Sequence, residues 1–121
     1  MEQQSSWPSA WVRASLELAI LGCLQAQDLH GYGIAAELEA GGMGRLKGGS
    51  LYPTLARLEQ DGHVAAVWLP GESGPGRKAY SLTPAGREQH QRLAEAWQGL
   101  TTTLMSLGEQ PQNASKTGDS R

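Results

Sequence analysis

The chain has 121 residues, 39% of them apolar, enough for one modest core and too few for a second domain. Its formal charge of −2 speaks against a uniformly basic nucleic-acid binder, but seven Lys or Arg stand against four acids between Arg45 and Arg92, so a polyanion would meet the middle of the chain. One cysteine, Cys23, excludes an internal disulfide; the scattered His30, His63 and His90 offer no zinc set, and no nucleophile stands at a recognisable spacing from a base, so neither a cofactor nor an enzyme is expected.

In chain order, residues 1–10 are expected to form a flexible arm. A helix then runs from Trp11 to about Gln25 and is apolar nearly all round, with Val12, Leu16, Ile20 and Cys23 on one stripe and Leu18, Leu21 and Leu24 on others. A small domain covers only half of such a helix, which points to a second copy of the chain. Cys23 falls inside LELAILGCL and is expected to be a buried thiol acting as a small hydrophobe. That run is too short for a membrane span, carries Glu17 and lacks a signal-peptide cleavage site, so a cytoplasmic protein is expected.

Residues 27–31 read as a turn, Tyr32 to Ala40 as a short helix stopped by Gly41-Gly42, and 43–49 as a glycine-rich connection. A third helix starts at or slightly before a Ser50 N-cap, takes Pro53 in its first turn, turns Leu51, Leu55 and Leu58 inward and ends at Asp61-Gly62. Strands over His63–Leu69 and Arg77–Leu82 enclose a loop rich in glycine and proline and make a hairpin. Thr83 caps the last helix, with Pro84 at its first position. Along it His90, Leu93, Trp97, Leu100, Leu104 and Leu107 form a heptad seam, for a second copy or for the first helix of the same chain. Residues 108–121 are polar and are expected to be a disordered tail.

Two helices joined by a short connection and followed by a basic hairpin describe a winged helix-turn-helix: a mainly α chain with a small β-hairpin, residues 11–83 forming the DNA-binding domain and residues 84–107 a C-terminal dimerisation helix. In the third helix Ser50, Pro53 and Arg57 point away from the leucines, and Tyr52 and Thr54 flank them, a compact surface low in carboxylates of the kind that approaches base edges. Arg57 serves either a phosphate or an ion pair with Glu59 or Asp61, and Lys47 either a phosphate or a loop. Arg77 and Lys78, adjacent cations at the hairpin, would repel each other without an anion and are expected to reach phosphates. Gly71 to Gly76 has the glycine spacing of a phosphate loop, but a strand follows where a helix belongs, so nucleotide binding is excluded. Trp97 is either core or one wall of a flat aromatic slot made by two copies.

HGYGI at 30–34, GSLYPTLARLEQDG at 49–62 and GRKAYSLTPAG at 76–86 resemble, in order and separation, three signature segments of PadR-type transcriptional regulators. The resemblance implies a homodimeric winged-helix protein on double-stranded, inverted-repeat operator DNA, usually a repressor released by a small molecule. The short C-terminal part resembles the small subfamily with one C-terminal helix, the kind that senses multiple drugs in lactococci. There the tryptophan matching Trp97 stacks on planar ligands, with the positions of Glu17, Leu18, Gly22, Gln89, His90 and Leu100 around it. On the DNA side the resemblance points to Tyr32, Ser50, Tyr52 and Thr54, and to Lys78 in the wing. The wing here reads Arg77-Lys78-Ala79-Tyr80-Ser81, one cation fewer than is usual, which implies a shallower salt dependence. The rival reading is a winged-helix protein-interaction module without DNA binding.

Overall fold

The computed structural model describes residues 7–46, 48–70 and 77–109, in the order α1 (Ser9–Cys23), β1 (Leu29–His30), α2 (Gly31–Leu38), a π-helical turn (Glu39–Met43), α3 (Gly48–Gln60), β2 (Val64–Leu69), β3 (Arg77–Leu82) and α4 (Pro84–Leu107). Lys47, the loop 71–76, arm residues 1–6 and tail residues 110–121 lie outside the described residues. Two compact units, 1–91 and 92–121, divide within α4.

In the first unit α1 begins earlier than its apolar pattern suggests. Pro8 directs the chain into it, and the Pro8 carbonyl accepts the N–H groups of Trp11 and Val12. The helix turns Val12, Leu16, Ile20 and Leu21 into the core, joined by Leu24 just past its end, while Leu18 is half-exposed and Trp11 faces outward. The expectation of a buried Cys23 needs correction. Its thiol is half-exposed; partial burial, aided by the charge of Glu37, still raises its pKa above the usual thiol value and keeps it protonated at neutral pH.

The expected turn at 27–31 contains a strand instead. Leu29 pairs with Tyr80 and His30 with Ala79, so the sheet is three-stranded and antiparallel in the order β1-β3-β2. Two residues suffice because β3, flanked only by β2, would leave one row of backbone groups unpaired. Along the hairpin the register runs from Val64 opposite Leu82 to Leu69 opposite Arg77, and both hairpin strands match the expected segments to within one residue.

α3 carries the core stripe expected of it: Leu51, Leu55 and Leu58 are fully buried, and the helix packs on α1 and β2. Its start differs. Ser50 is no N-cap, because the helix already begins at Gly48; the Ser50 carbonyl instead accepts the Thr54 hydroxyl at 2.9 Å, and Pro53 lies within the helix. The end at Gly62 is a Schellman motif: Gly62 has φ of 80°, its N–H reaches the Glu59 carbonyl, and the His63 N–H reaches Leu58. Thr83 caps α4 as expected, accepting the Gly86 N–H at 3.0 Å and donating its hydroxyl to the Gly62 carbonyl at 2.6 Å. The start of α4 is thereby tied to the end of α3.

The second unit consists, among the described residues, of the remainder of α4 and the turn at Gly108 and Glu109. Leu100, Leu104, Met105 and Leu107 are all about half-exposed or more, and Trp97 is half-exposed. No helix among the described residues is long and apolar enough to cross a membrane.

Candidate nucleic-acid interface

With three leucines of α3 inward, the opposite side of the helix is set by geometry. Tyr52, Pro53 and Arg57 are exposed, and Ser50 and Thr54 are half-exposed. From Ser50 to Leu58 this helix carries no acidic residue. Arg57 does find a carboxylate, but neither of the two considered from sequence: its Nη2 lies 3.3 Å from Oε1 of Glu17 on α1. The Arg57 side chain remains 55% exposed in that pair, so the contact is a weak surface tether, and the side chain can exchange it for another anion.

Tyr32 stands beside this face at the start of α2 and is 76% exposed. Tyr52 packs over the backbone of Gly31: a Cβ there would lie 2.6 Å from the Tyr52 hydroxyl, so glycine is what allows the ring to lie down. Together the two tyrosines lead from α3 to the loop end of the hairpin, where a cleft of about 300 Å³ is lined by the aromatic residues Tyr32, Tyr52, Trp68 and Tyr80 and carries Arg77 and Lys78.

The two hairpin cations, both expected to reach phosphates, differ in their partners within the chain. Lys78 donates to Glu59 Oε1 at 3.0 Å, and that bond raises the lysine pKa above its ordinary value. Its ammonium also sits 5.9 Å from the ring centroids of both Trp68 and Tyr80. Burial raises the Tyr80 phenol above its usual value, so it stays a neutral donor. Arg77 has no carboxylate partner among the described residues and contacts His30 at 3.2 Å. Neighbouring side chains on a strand point to opposite faces, which is why one cation meets Glu59 and the other does not. His30, Trp68 and Tyr80 belong to this cleft and were not among the residues singled out from sequence; the position of His30 just ahead of a helix was the available signal.

Of the residues expected around a ligand, five lie in the first unit. Glu17 accepts from Gln89 Nε2 at 3.2 Å with its second oxygen, and the imidazole of His90 lies 3.5 Å from where a Cβ on Gly22 would be. Leu18 stands on the same helix, half-exposed. Trp97 and Leu100 belong to the second unit, on the remainder of α4.

A helix pair whose second member presents a small polar face, followed by an antiparallel hairpin with a basic strand, defines a winged helix-turn-helix protein. The chain belongs to the PadR-like family of transcriptional regulators, whose family model matches residues 20–92. It is 40% identical over 75 residues to a transcriptional regulator of Mycobacterium tuberculosis, a match covering 62% of this chain and 68% of that one. A PadR family regulator from Eggerthella lenta superposes with a TM-score of 0.77 at 28% identity, covering 84% of this chain and 88% of that one. PadR of Bacillus subtilis, solved in complex with operator DNA, superposes with a TM-score of 0.60 at 27% identity, covering 65% of this chain and 46% of that one.

Proposed function

We propose that this chain is a homodimeric DNA-binding repressor that presents α3 to the major groove of an inverted repeat, with half-sites about one helical turn apart. The observation that carries this reading is the outward face of α3, free of acids from Ser50 to Leu58 and bordered by Tyr32 and by Arg77, which has no carboxylate partner among the described residues. The operator complex of the Bacillus subtilis relative supports it. A gel-shift titration with the DNA upstream of its own gene against random DNA is the direct test. Equal affinity for both would remove the operator reading, and no binding to either would leave the protein-interaction alternative.

The two wing cations should separate in a salt titration. Arg77→Ala is expected to weaken binding to every duplex and to lower the slope of log affinity against log salt by about one per subunit. Lys78→Ala should change the slope less, because Glu59 already holds that ammonium. Fluorescence anisotropy at several salt concentrations reads both; a larger slope change for Lys78 would contradict the assignment.

The dimer is supported separately by the exposed Leu100, Leu104, Met105 and Leu107 in one unit and by exposed Trp11 in the other, more apolar surface than a monomer usually leaves in water. Light scattering should give twice the chain mass. A planar hydrophobic ligand stacking on Trp97 at the dimer interface and releasing the DNA completes the proposal. A planar cationic dye is then expected to quench tryptophan emission in the wild type, and Trp97→Ala to abolish most of that quenching. Undiminished quenching in the variant would move the ligand to another tryptophan.

A further inference from the structure

His30 lies between two N–H groups. Its Nδ1 accepts the backbone N–H of Gly33 at 3.1 Å, capping the first turn of α2, and its Nε2 lies 3.2 Å from Nη1 of Arg77. A neutral imidazole has one N–H and one in-plane lone pair, a protonated one has no lone pair, and a guanidinium only donates. The two contacts therefore cannot both be hydrogen bonds. The cap keeps the lone pair, because a first-turn N–H finds no acceptor inside its own helix, whereas the exposed Arg77 is free to turn towards another. This assigns the proton to Nε2, where it faces the guanidinium donor to donor.

What such a pair lacks is a shared acceptor, and its surroundings specify the kind. Among the described residues no carboxylate lines the cleft, Lys78 is held by Glu59, and the Tyr52 hydroxyl lies against Gly31. An oxygen with a negative charge and two lone pairs would accept from both donors at once. The choice of capping residue points the same way. Asn, Asp and Ser are the strong caps, but a carboxylate would oppose an anion, and none of the three both caps through one atom and donates from the far side of a ring.

We propose that a phosphodiester oxygen of the DNA backbone sits between His30 Nε2–H and Arg77 Nη1–H, so that the residue capping α2 is also a DNA contact. This rests on the DNA-binding reading above, and the arrangement ties the seating of α2 and the hairpin to one phosphate.

The test uses the full chain, a fluorescein-labelled duplex of mixed sequence and anisotropy across a salt series. His30→Asn keeps an oxygen for the cap and removes the Nε2–H. It should leave the thermal midpoint unchanged and weaken binding about fivefold, the worth of one hydrogen bond. The salt slope should stay that of the wild type, because an uncharged donor displaces no counterion. In an Arg77→Ala background the same change should cost less, since the two donors share one acceptor. His30→Asp caps as strongly, sets a carboxylate against the phosphate and should weaken binding further, which keeps the question decidable if the asparagine variant folds poorly. An unchanged affinity in both variants, or fully additive losses with Arg77→Ala, would overturn the proposal while leaving DNA binding in place. A wild type that binds no duplex even at about 50 mM salt, where phosphate contacts are strongest, would overturn both.

Discussion

Leu55→Ala is expected to lower the unfolding free energy by about 3 kcal/mol, within the range for a buried leucine truncated to alanine. Leu55 is fully buried, and it lies on the helix that packs against both α1 and β2, so the vacated space is walled by more than one element and cannot close by a simple shift. In a domain whose total stability is on the order of 5–15 kcal/mol, that is a large share, and the thermal midpoint should fall by roughly 15 °C. Urea unfolding of the variant beside Arg57→Ala makes the comparison. Arg57 is exposed and loses only a surface pair with Glu17, so its change should stay within about 0.5 kcal/mol. A Leu55 loss below about 1 kcal/mol would mean that α3 is not seated as described. DNA affinity, measured at a temperature where Leu55→Ala is still folded, should also fall, because the leucine stripe determines which side of α3 faces outward.

Gly86→Ala is expected to cost about 3 kcal/mol, near the upper end for an overpacked core site, although alanine in a helix ordinarily stabilises by about 1 kcal/mol over glycine. Gly86 is buried in the first turn of α4, and an added methyl group would run into the carbonyl oxygen of His63 and approach Leu82 Cδ1 at 2.8 Å. That carbonyl cannot step aside freely, because it accepts the Thr83 N–H, and the Thr83 hydroxyl holds the neighbouring Gly62 carbonyl. The methyl group must therefore push α4 off the end of α3. Gly99→Ala is the control: it lies in the same helix, and an added Cβ there meets nothing within 4 Å. It should raise the thermal midpoint, whereas Gly86→Ala should lower it steeply. Equal and favourable effects at both positions would show that the close approach to His63 does not exist.

The features legible in the sequence are those in which neighbours along the chain decide the outcome. Leucines at 51, 55 and 58 fall on one helical face whatever else the protein contains, and they are indeed the buried ones. Val64–Leu69 and Arg77–Leu82 are β-rich runs around turn-forming residues, and they pair as the antiparallel hairpin expected. Thr83 followed by Pro84 marks a helix start by its own chemistry. The family resemblance rested on such segments, and the family match spans them.

Other features depend on partners far along the chain. β1 has no strand signature, and its two residues become a strand only because β3, some fifty residues later, needs a partner. The carboxylate of Arg57 lies 40 positions away, that of Lys78 lies 19 away, and the His30 contact of Arg77 spans 47. Charge counting along the chain made Arg77 and Lys78 equivalent, and only the packing of α3 against the sheet separates them. Ser50 was misread as a cap because a serine ahead of a leucine run is the usual signal, while the preceding glycines proved able to continue the helix.

The sequence by itself determined which side of α3 is buried, where the hairpin lies and which family the chain joins, because side-chain periodicity and backbone restrictions act over a few residues. Tertiary structure alone decided which cations are already paired, that His30 meets Arg77, and that Gly86 must be glycine. Those outcomes arise where segments remote in sequence come within a few ångströms, and at that distance a single proton, methyl group or carboxylate is enough to change what a residue can do.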